Sequence, residues 1–235
     1  MQKNFIYSKI DFVKNEIEAV AFDIDGTLYA NWRLYILMVP YFIKNLSFFI
    51  QYNKVRKILH RTAPLADFYE YQARLLAQNL GISSEDAKEK IQKIVYDGLK
   101  PFFKKVKPFN YLIETFQAFK NAGLKIGILS DFPPEQKGNI WNLAPLCDVI
   151  LGSEQVGALK PSKYPFALLA KELNVNPEKI LYVGNSISAD INGAKNCGMK
   201  SAYIMCWWRK IFNNKPVNAD ISFKNYRQLQ KIVLN

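Results

Sequence analysis

Along the 235-residue chain the apolar positions change their period twice. A short β-prone run, Ala19 to Asp23, enters the turn residues Gly26 and Thr27. From Asn31 to about Lys107 the spacing is helical, with no convincing strand. Within that block PLADFYEYQARLLAQNLGI places Leu65, Phe68, Tyr69, Gln72, Leu75, Leu76 and Leu80 near one helical stripe and stops at Gly81. SSEDAKEKIQKIVYDGL opens on Ser and acidic residues, as helix starts do, and carries Ile91, Ile94 and Val95 on one side before Gly98.

After Pro108 helix and strand signals alternate. FNYLIETFQAFKNAG, with Ile113, Phe116 and Phe119 spaced for burial, reads as a helix and LKIGILS as a strand ending at Ser130. VILGS, KILYVG and SAYIMC read as further strands, with PSKYPFALLAKELNV and SISADINGAKNCG as helices between them. Such alternation predicts an α/β fold, a doubly wound, Rossmann-like parallel sheet with helices on both faces. The change of pattern sets the expected domains: a sheet-bearing core of residues 1–30 and 108–235, and an inserted all-helical cap of residues 31–107. No functional assignment attaches to the first eighteen residues. In such folds ligands lie beyond the carboxyl ends of the strands. Chemistry is therefore expected at Asp23 and Asp25, Ser130 and Asp131, Ser153 and Glu154, and Asn185 and Asp190.

Composition narrows the chemistry. With one histidine, His60, there is no His-rich metal cluster and no obvious Ser-His triad, so a catalytic metal would need oxygen ligands, which points to Mg²⁺ rather than Zn²⁺. The three cysteines Cys147, Cys197 and Cys206 lack the close pairing of a zinc or redox motif, and the N-terminus lacks a signal-peptide pattern. Together these predict a reduced, cytoplasmic chain. The 32 basic against 20 acidic residues leave a charge of +12, partly concentrated between Asn31 and His60, where there is no acid. Arg33, Lys44, Lys54, Arg56 and Lys57 are interleaved there with Trp32, Tyr35, Tyr41, Phe42, Phe48, Phe49 and Tyr52. This is either a basic helical face over a packed core or a surface for anions. LYILMVPYFI, interrupted by Lys44, is too short to span a bilayer, which needs about 20 residues.

Four strings carry a family resemblance: DIDGTL at Asp23 to Leu28, ILSDF with Ser130, VGALKP with Lys160, and YVGNSISADINGAKNCGM with Asn185 and Asp190. In this order, each close behind a predicted strand, they resemble the four motifs of the haloacid dehalogenase-like hydrolases, over Val20 to about Met205. The helical block sits where one class of that family carries a cap. The resemblance implies a phosphatase in which Asp23 attacks phosphorus to form an aspartyl-phosphate and Asp25 acts as acid, then base. It implies phosphate binding by Thr27, Ser130, the backbone N–H of Asp131 and Lys160, and a Mg²⁺ shell drawn from Asp23, the carbonyl oxygen of Asp25, and Asn185 or Asp190. Asp25 favours phosphoryl transfer over halide displacement, and a phosphomutase shares the same fold.

Asn185 departs from the family pattern, which has a metal-binding Asp there; a neutral amide oxygen is a weaker Mg²⁺ ligand than a carboxylate. A small phosphorylated substrate is the expected partner, with no nucleic acid and no transmembrane segment. The competing expectation is a catalytically weak binding module for anions, nucleic acid or a membrane surface. It would act through the basic aromatic cap and CWWRKIFNNK, with Trp207, Trp208, Arg209 and Lys210. Tyr29 and Trp32 are expected to line the entrance. The pattern leaves oligomeric state open.

Overall fold

The computed structural model describes residues 17–206, 209, 211–212, 214, 216 and 218–235. Residues 1–16, Trp207, Trp208 and Lys210 lie outside the described residues, as do the expectations attached to them. Six strands, β1 (Ala19–Phe22), β2 (Lys125–Ser130), β3 (Val149–Gly152), β4 (Ile180–Gly184), β5 (Lys200–Ile204) and β6 (Ile221–Phe223), form one sheet in the order β3-β2-β1-β4-β5-β6. All pairings are parallel; Phe22 lies opposite Ile128 on one side and Val183 on the other. The order reverses between β1 and β4, which leaves a crevice at their carboxyl ends.

Covered on both faces, β1 is apolar throughout, and all four of its residues are fully buried. Its two faces follow the strand period of two. Val20 and Phe22 meet α6 (Leu112–Asn121) and α9 (Tyr226–Leu234), where Phe22 stacks on Phe116 with ring centroids 4.4 Å apart. Ala19 and Ala21 face α7 (Lys163–Leu173), whose Phe166 and Leu169 need the space that small residues leave. The pair β6–α9 completes the sheet edge beyond the predicted strands.

Between β1 and α6 the chain is helical: α1 (Asn31–Lys44), α2 (Leu46–Leu59), α3 (Phe68–Leu80), α4 (Ser84–Ile91) and α5 (Gly98–Phe103). The predicted stop of α3 at Gly81 and the predicted Ser start of α4 hold, whereas α4 ends at Ile91, short of its predicted end. Asp67 caps α3 through the Glu70 N–H, Gly81 closes it with φ +65°, and Ser83 caps α4 through the Asp86 N–H. Gly98 does not end a helix. A widened turn at Gln92–Asp97 leads through it into α5, and a Cβ there would lie 1.9 Å from the Tyr41 hydroxyl, which donates to the Ile94 carbonyl. Likewise the predicted single helix over SISADINGAKNCG is split into a wide turn, Ile187–Ile191, and a short α8 (Asn192–Asn196).

α1 is apolar on two faces. Leu34 and Met38 are buried, whereas Ile36, Val39 and Ile43 are exposed, Ile43 to 68%. No single helix among the described residues is long and apolar enough to cross a membrane, and α1 meets α2 at a bend of 112°.

Candidate active site

The site is assembled at the carboxyl ends of β2, β1 and β4. Asp23 follows β1 and donates its N–H to the Val183 carbonyl, which continues the sheet one residue beyond the strand. The chain then turns: the Thr27 and Leu28 N–H groups donate to the Ile24 carbonyl, and Gly26 takes φ +86°. A side chain at Gly26 would also collide with Asn185, whose Nδ2 would lie 2.1 Å from the added Cβ. Glycine thus brings the first and fourth motifs together.

Lys160 is the hub. Its Nζ lies 2.7 Å from Asp23 Oδ1 and 2.8 Å from Asp190 Oδ1, with all three side chains buried. Burial alone would lower its pKa, but Asp190 and Asp23 hold it well above the ordinary lysine value. Asp190 is fully engaged, since its Oδ2 accepts the N–H groups of Asn185 and Ser186 at 3.1 and 2.9 Å. Asp23 accepts a hydrogen bond on Oδ2 from Thr27 Oγ1 at 2.8 Å. Burial pushes the Asp23 carboxyl up to about 7; Lys160 pulls against that rise, and the charges of Asp190 and Asp25 add to it.

Asp25 is only partly buried and has different partners. The Tyr29 hydroxyl donates to its Oδ1 at 2.5 Å, and Lys137 Nζ lies 3.0 Å from its Oδ2. Tyr29 is therefore buried against the site, with its hydroxyl held four residues back along the turn, and it lines the cavity beside Asp25; Trp32 is exposed and does not line that cavity. Burial, reinforced by Asp25, raises the Tyr29 pKa, so the phenol remains a donor. Lys137, on the short 3₁₀ turn Pro134–Lys137, has no signal in the sequence that marks it as a site residue. Its carboxylate partner lies on a different motif, more than a hundred positions upstream in the chain.

Of the other predicted residues, Ser130 is fully buried at the end of β2, and its Oγ has no hydrogen-bond partner among the described residues. An unpaired buried hydroxyl next to a charged cluster is a donor in want of an acceptor. Asp131 accepts the Lys160 N–H on Oδ1 at 3.1 Å, which ties the second motif to the third. Glu154 is spent elsewhere: it is ion-paired with Arg56 of α2 and accepts from the Tyr96 hydroxyl at 2.6 Å. With Gln72, which donates to the Tyr96 hydroxyl at 3.0 Å, these residues form a buried polar network joining the helical block to the loop after β3. Ser153 Oγ is buried and has no hydrogen-bond partner among the described residues. His60 Nδ1 lies 2.7 Å from the Lys160 carbonyl oxygen and thus braces the backbone behind the hub.

The donor set next to Asp23 consists of oxygen: its own carboxylate and the Asn185 Oδ1, which lies 3.4 Å from Thr27 Oγ1. Among the described residues no group of three or more His, Cys, Asp and Glu forms a ready-made cage. One carboxylate and one amide oxygen suit Mg²⁺, which keeps several waters and shares its shell with substrate phosphate. The residues fit that ion.

Residues 17–198 match the haloacid dehalogenase-like hydrolases. The phosphoglycolate phosphatase of Aquifex aeolicus is 30% identical over 132 residues, 55% of this chain and 60% of that one. The glyceraldehyde 3-phosphate phosphatase of Methanopyrus kandleri is 26% identical over 200 residues, 80% of this chain and 84% of that one. Among solved structures, a haloacid dehalogenase-like phosphatase from Thermococcus onnurineus superposes with a TM-score of 0.62 at 24% identity, over 92% of this chain and 97% of that one, a likeness of fold. The chain belongs to the haloacid dehalogenase-like hydrolase family, and its curated relatives put it with the phosphatases of that family.

Proposed function

We propose that the protein is a Mg²⁺-dependent phosphatase that hydrolyses a small phosphate monoester through an aspartyl-phosphate, with residues 31–107 as its cap. The observation that carries this reading is the division between two carboxylates: Asp23 is buried against Lys160 and Thr27, while Asp25 is partly open and clamped by Tyr29 and Lys137. Asp23 attacks phosphorus as the bond to the leaving oxygen breaks, and Asp25 gives its proton to that oxygen. A water then attacks the aspartyl-phosphate, returns a proton to Asp25 and frees Asp23 with inorganic phosphate. Ser130 Oγ, the Asp131 N–H and Lys160 Nζ hold the equatorial oxygens, and Thr27 orients Asp23.

Asp23, the Asp25 carbonyl and Asn185 would hold Mg²⁺, which supplies charge neutralisation between the nucleophile and the phosphate dianion. Asp190, with both oxygens taken by three donors, acts by positioning Lys160 and the loop that bears Asn185. Phosphate release from 4-nitrophenyl phosphate, with Mg²⁺ and with chelator, tests the proposal. Metal-dependent release is expected, and its absence over a broad ester panel would sink the reading. Asn185→Asp adds an anionic ligand and is expected to tighten Mg²⁺ at least about tenfold in calorimetric titration. Unchanged affinity would remove Asn185 from the metal shell.

A second reading is favoured by the outer face of α1. Trp32, Ile36, Val39, Ile43 and, in α2, Leu46 and Ile50 are exposed, with Arg33, Lys44, Lys54 and Lys57 exposed nearby and no acid from Asn31 to His60. A helix apolar on both sides is ordinarily covered on both. Insertion of this face into an anionic bilayer surface satisfies its apolar and basic groups together. Flotation with phosphatidylserine vesicles, lost in Ile36→Glu/Ile43→Glu, is expected; equal flotation of both proteins, or none, would remove this reading.

A further inference from the structure

We infer that the leaving group of the substrate is an uncharged, apolar alcohol, so that alkyl or aryl phosphates are preferred to esters with a second anionic group. The inference rests on the phosphatase reading above and concerns a cavity of about 370 Å³ that opens beside Asp25, the proposed proton donor to the leaving group. The volume lies within the usual small-molecule range of about 300–1,000 Å³.

The walls come from the helical block. α1 supplies Leu34 and Met38, four residues apart on its inner face; α2 supplies Phe49; Val95 comes from the wide turn; α5 supplies Leu99 and Phe103, again four apart. All six are buried, so the lining is held in place by the core behind it. Among the described residues no lysine, arginine or histidine lines this cavity. Each cation behind its walls already faces a carboxylate: Lys137 Nζ, packed over the rings of Phe103 and Phe132, lies 3.0 Å from Asp25 Oδ2, and Arg56, over Phe132, pairs with Glu154. Of the polar lining groups, Gln136 donates to the Val95 carbonyl at 2.7 Å, the Tyr52 hydroxyl to Gln72 at 3.3 Å and the Tyr29 hydroxyl to Asp25 at 2.5 Å, while Asn31, Asn53 and Tyr35 border the cavity as neutral groups. A carboxylate or second phosphate entering here would lose its hydration and meet no free cation. A hydrocarbon chain or ring would gain what the anion loses. A larger cavity, about 610 Å³ between Tyr69 and Gln136, includes Lys88 and Lys100 but neither Asp23 nor Asp25.

The test uses two series on the natural protein with Mg²⁺ present. In the first, n-alkylphosphonates from methyl to octyl, which cannot be hydrolysed at the P–C bond, are titrated calorimetrically beside phosphonoacetate. Affinity is expected to rise about fourfold per methylene until the cavity is filled. Phosphonoacetate is expected to bind no tighter than methylphosphonate, and Met38→Lys to reverse that order. A flat series, no phosphonate binding, or phosphonoacetate tighter by tenfold or more in the natural protein would overturn the inference. The second series measures phosphate release from the matching alkyl phosphates. Affinity that climbs with chain length while no ester is hydrolysed would keep the cavity's assignment and refute the phosphatase reading; hydrolysis with a flat binding series would do the reverse.

Discussion

Asp23→Asn is expected to abolish phosphate release, by at least about 10⁴-fold, and to make the metal-free protein more stable at neutral pH. The loss follows because an amide oxygen is a poor nucleophile toward a phosphate ester, while the shape of the site is kept. The gain in stability follows from the carboxyl being pushed up to about 7 in the folded chain from 3.8. Its sign is determined by linkage: below the unfolded value both states hold the proton and the residue contributes nothing. As pH rises from about 4 to about 7 the unfolded chain releases its proton first, so the natural protein loses stability across that window. The asparagine variant escapes this loss, which is on the order of 4 kcal/mol above pH 7. Urea denaturation in chelator at pH 3 and pH 8 measures it. The variant should match the natural protein at the lower pH and exceed it at the higher; equal stability at both would show that Asp23 is not held against its ionisation.

Lys160→Met is expected to be the most damaging single change in the site. It leaves Asp23 and Asp190 buried with no ammonium between them, and removing one partner of a buried ion cluster costs about 3–5 kcal/mol. Again the pH dependence has a definite sign: the cost grows as pH rises and Asp23 is forced to ionise, and it shrinks in acid as that carboxyl keeps its proton. The transferring oxygens also lose their fixed positive charge, a further loss of about 10³-fold in turnover. The double variant Asp23→Asn/Lys160→Met separates these effects. Once the cation is gone, removing one anion should return a large part of the stability and none of the activity. Stability changes that simply add for the two substitutions, measured by denaturation at pH 8, would mean that the ammonium and the carboxylate do not act as a unit.

Most of the sheet was legible because the strands carry their own signals. The runs Ala19 to Phe22, KIGILS and ILYVG are short, apolar and bounded by turn residues, the pattern of strands covered on both faces. The β6–α9 edge was not read because Ile221–Phe223 is three residues long and α9 is marked by only three buried positions, Tyr226, Leu229 and Val233. The break at Ile187–Ile191 was equally hidden. There Asp190 turns inward to accept the N–H groups of Asn185 and Ser186, and a long-range partner, Lys160, decides the local backbone.

What the sequence determined by itself is the chemical inventory and the class of fold: two acids after a buried strand, a Ser, a Lys before Pro, and an Asn-Asp motif, each close behind a strand of an alternating pattern. Strand periodicity and turn chemistry act over a few residues, so they can be read without knowing what lies across the molecule. Only the tertiary structure decided which of these residues share partners. Lys160 closes on Asp23 and Asp190 from 137 and 30 positions away, Lys137 reaches Asp25, and Glu154 is diverted to Arg56, 98 positions upstream. The apolar character of the cavity beside Asp25 is of the same kind, since its walls come from separate helices. Side-chain contacts of this sort are made by packing, and packing depends on the whole chain at once.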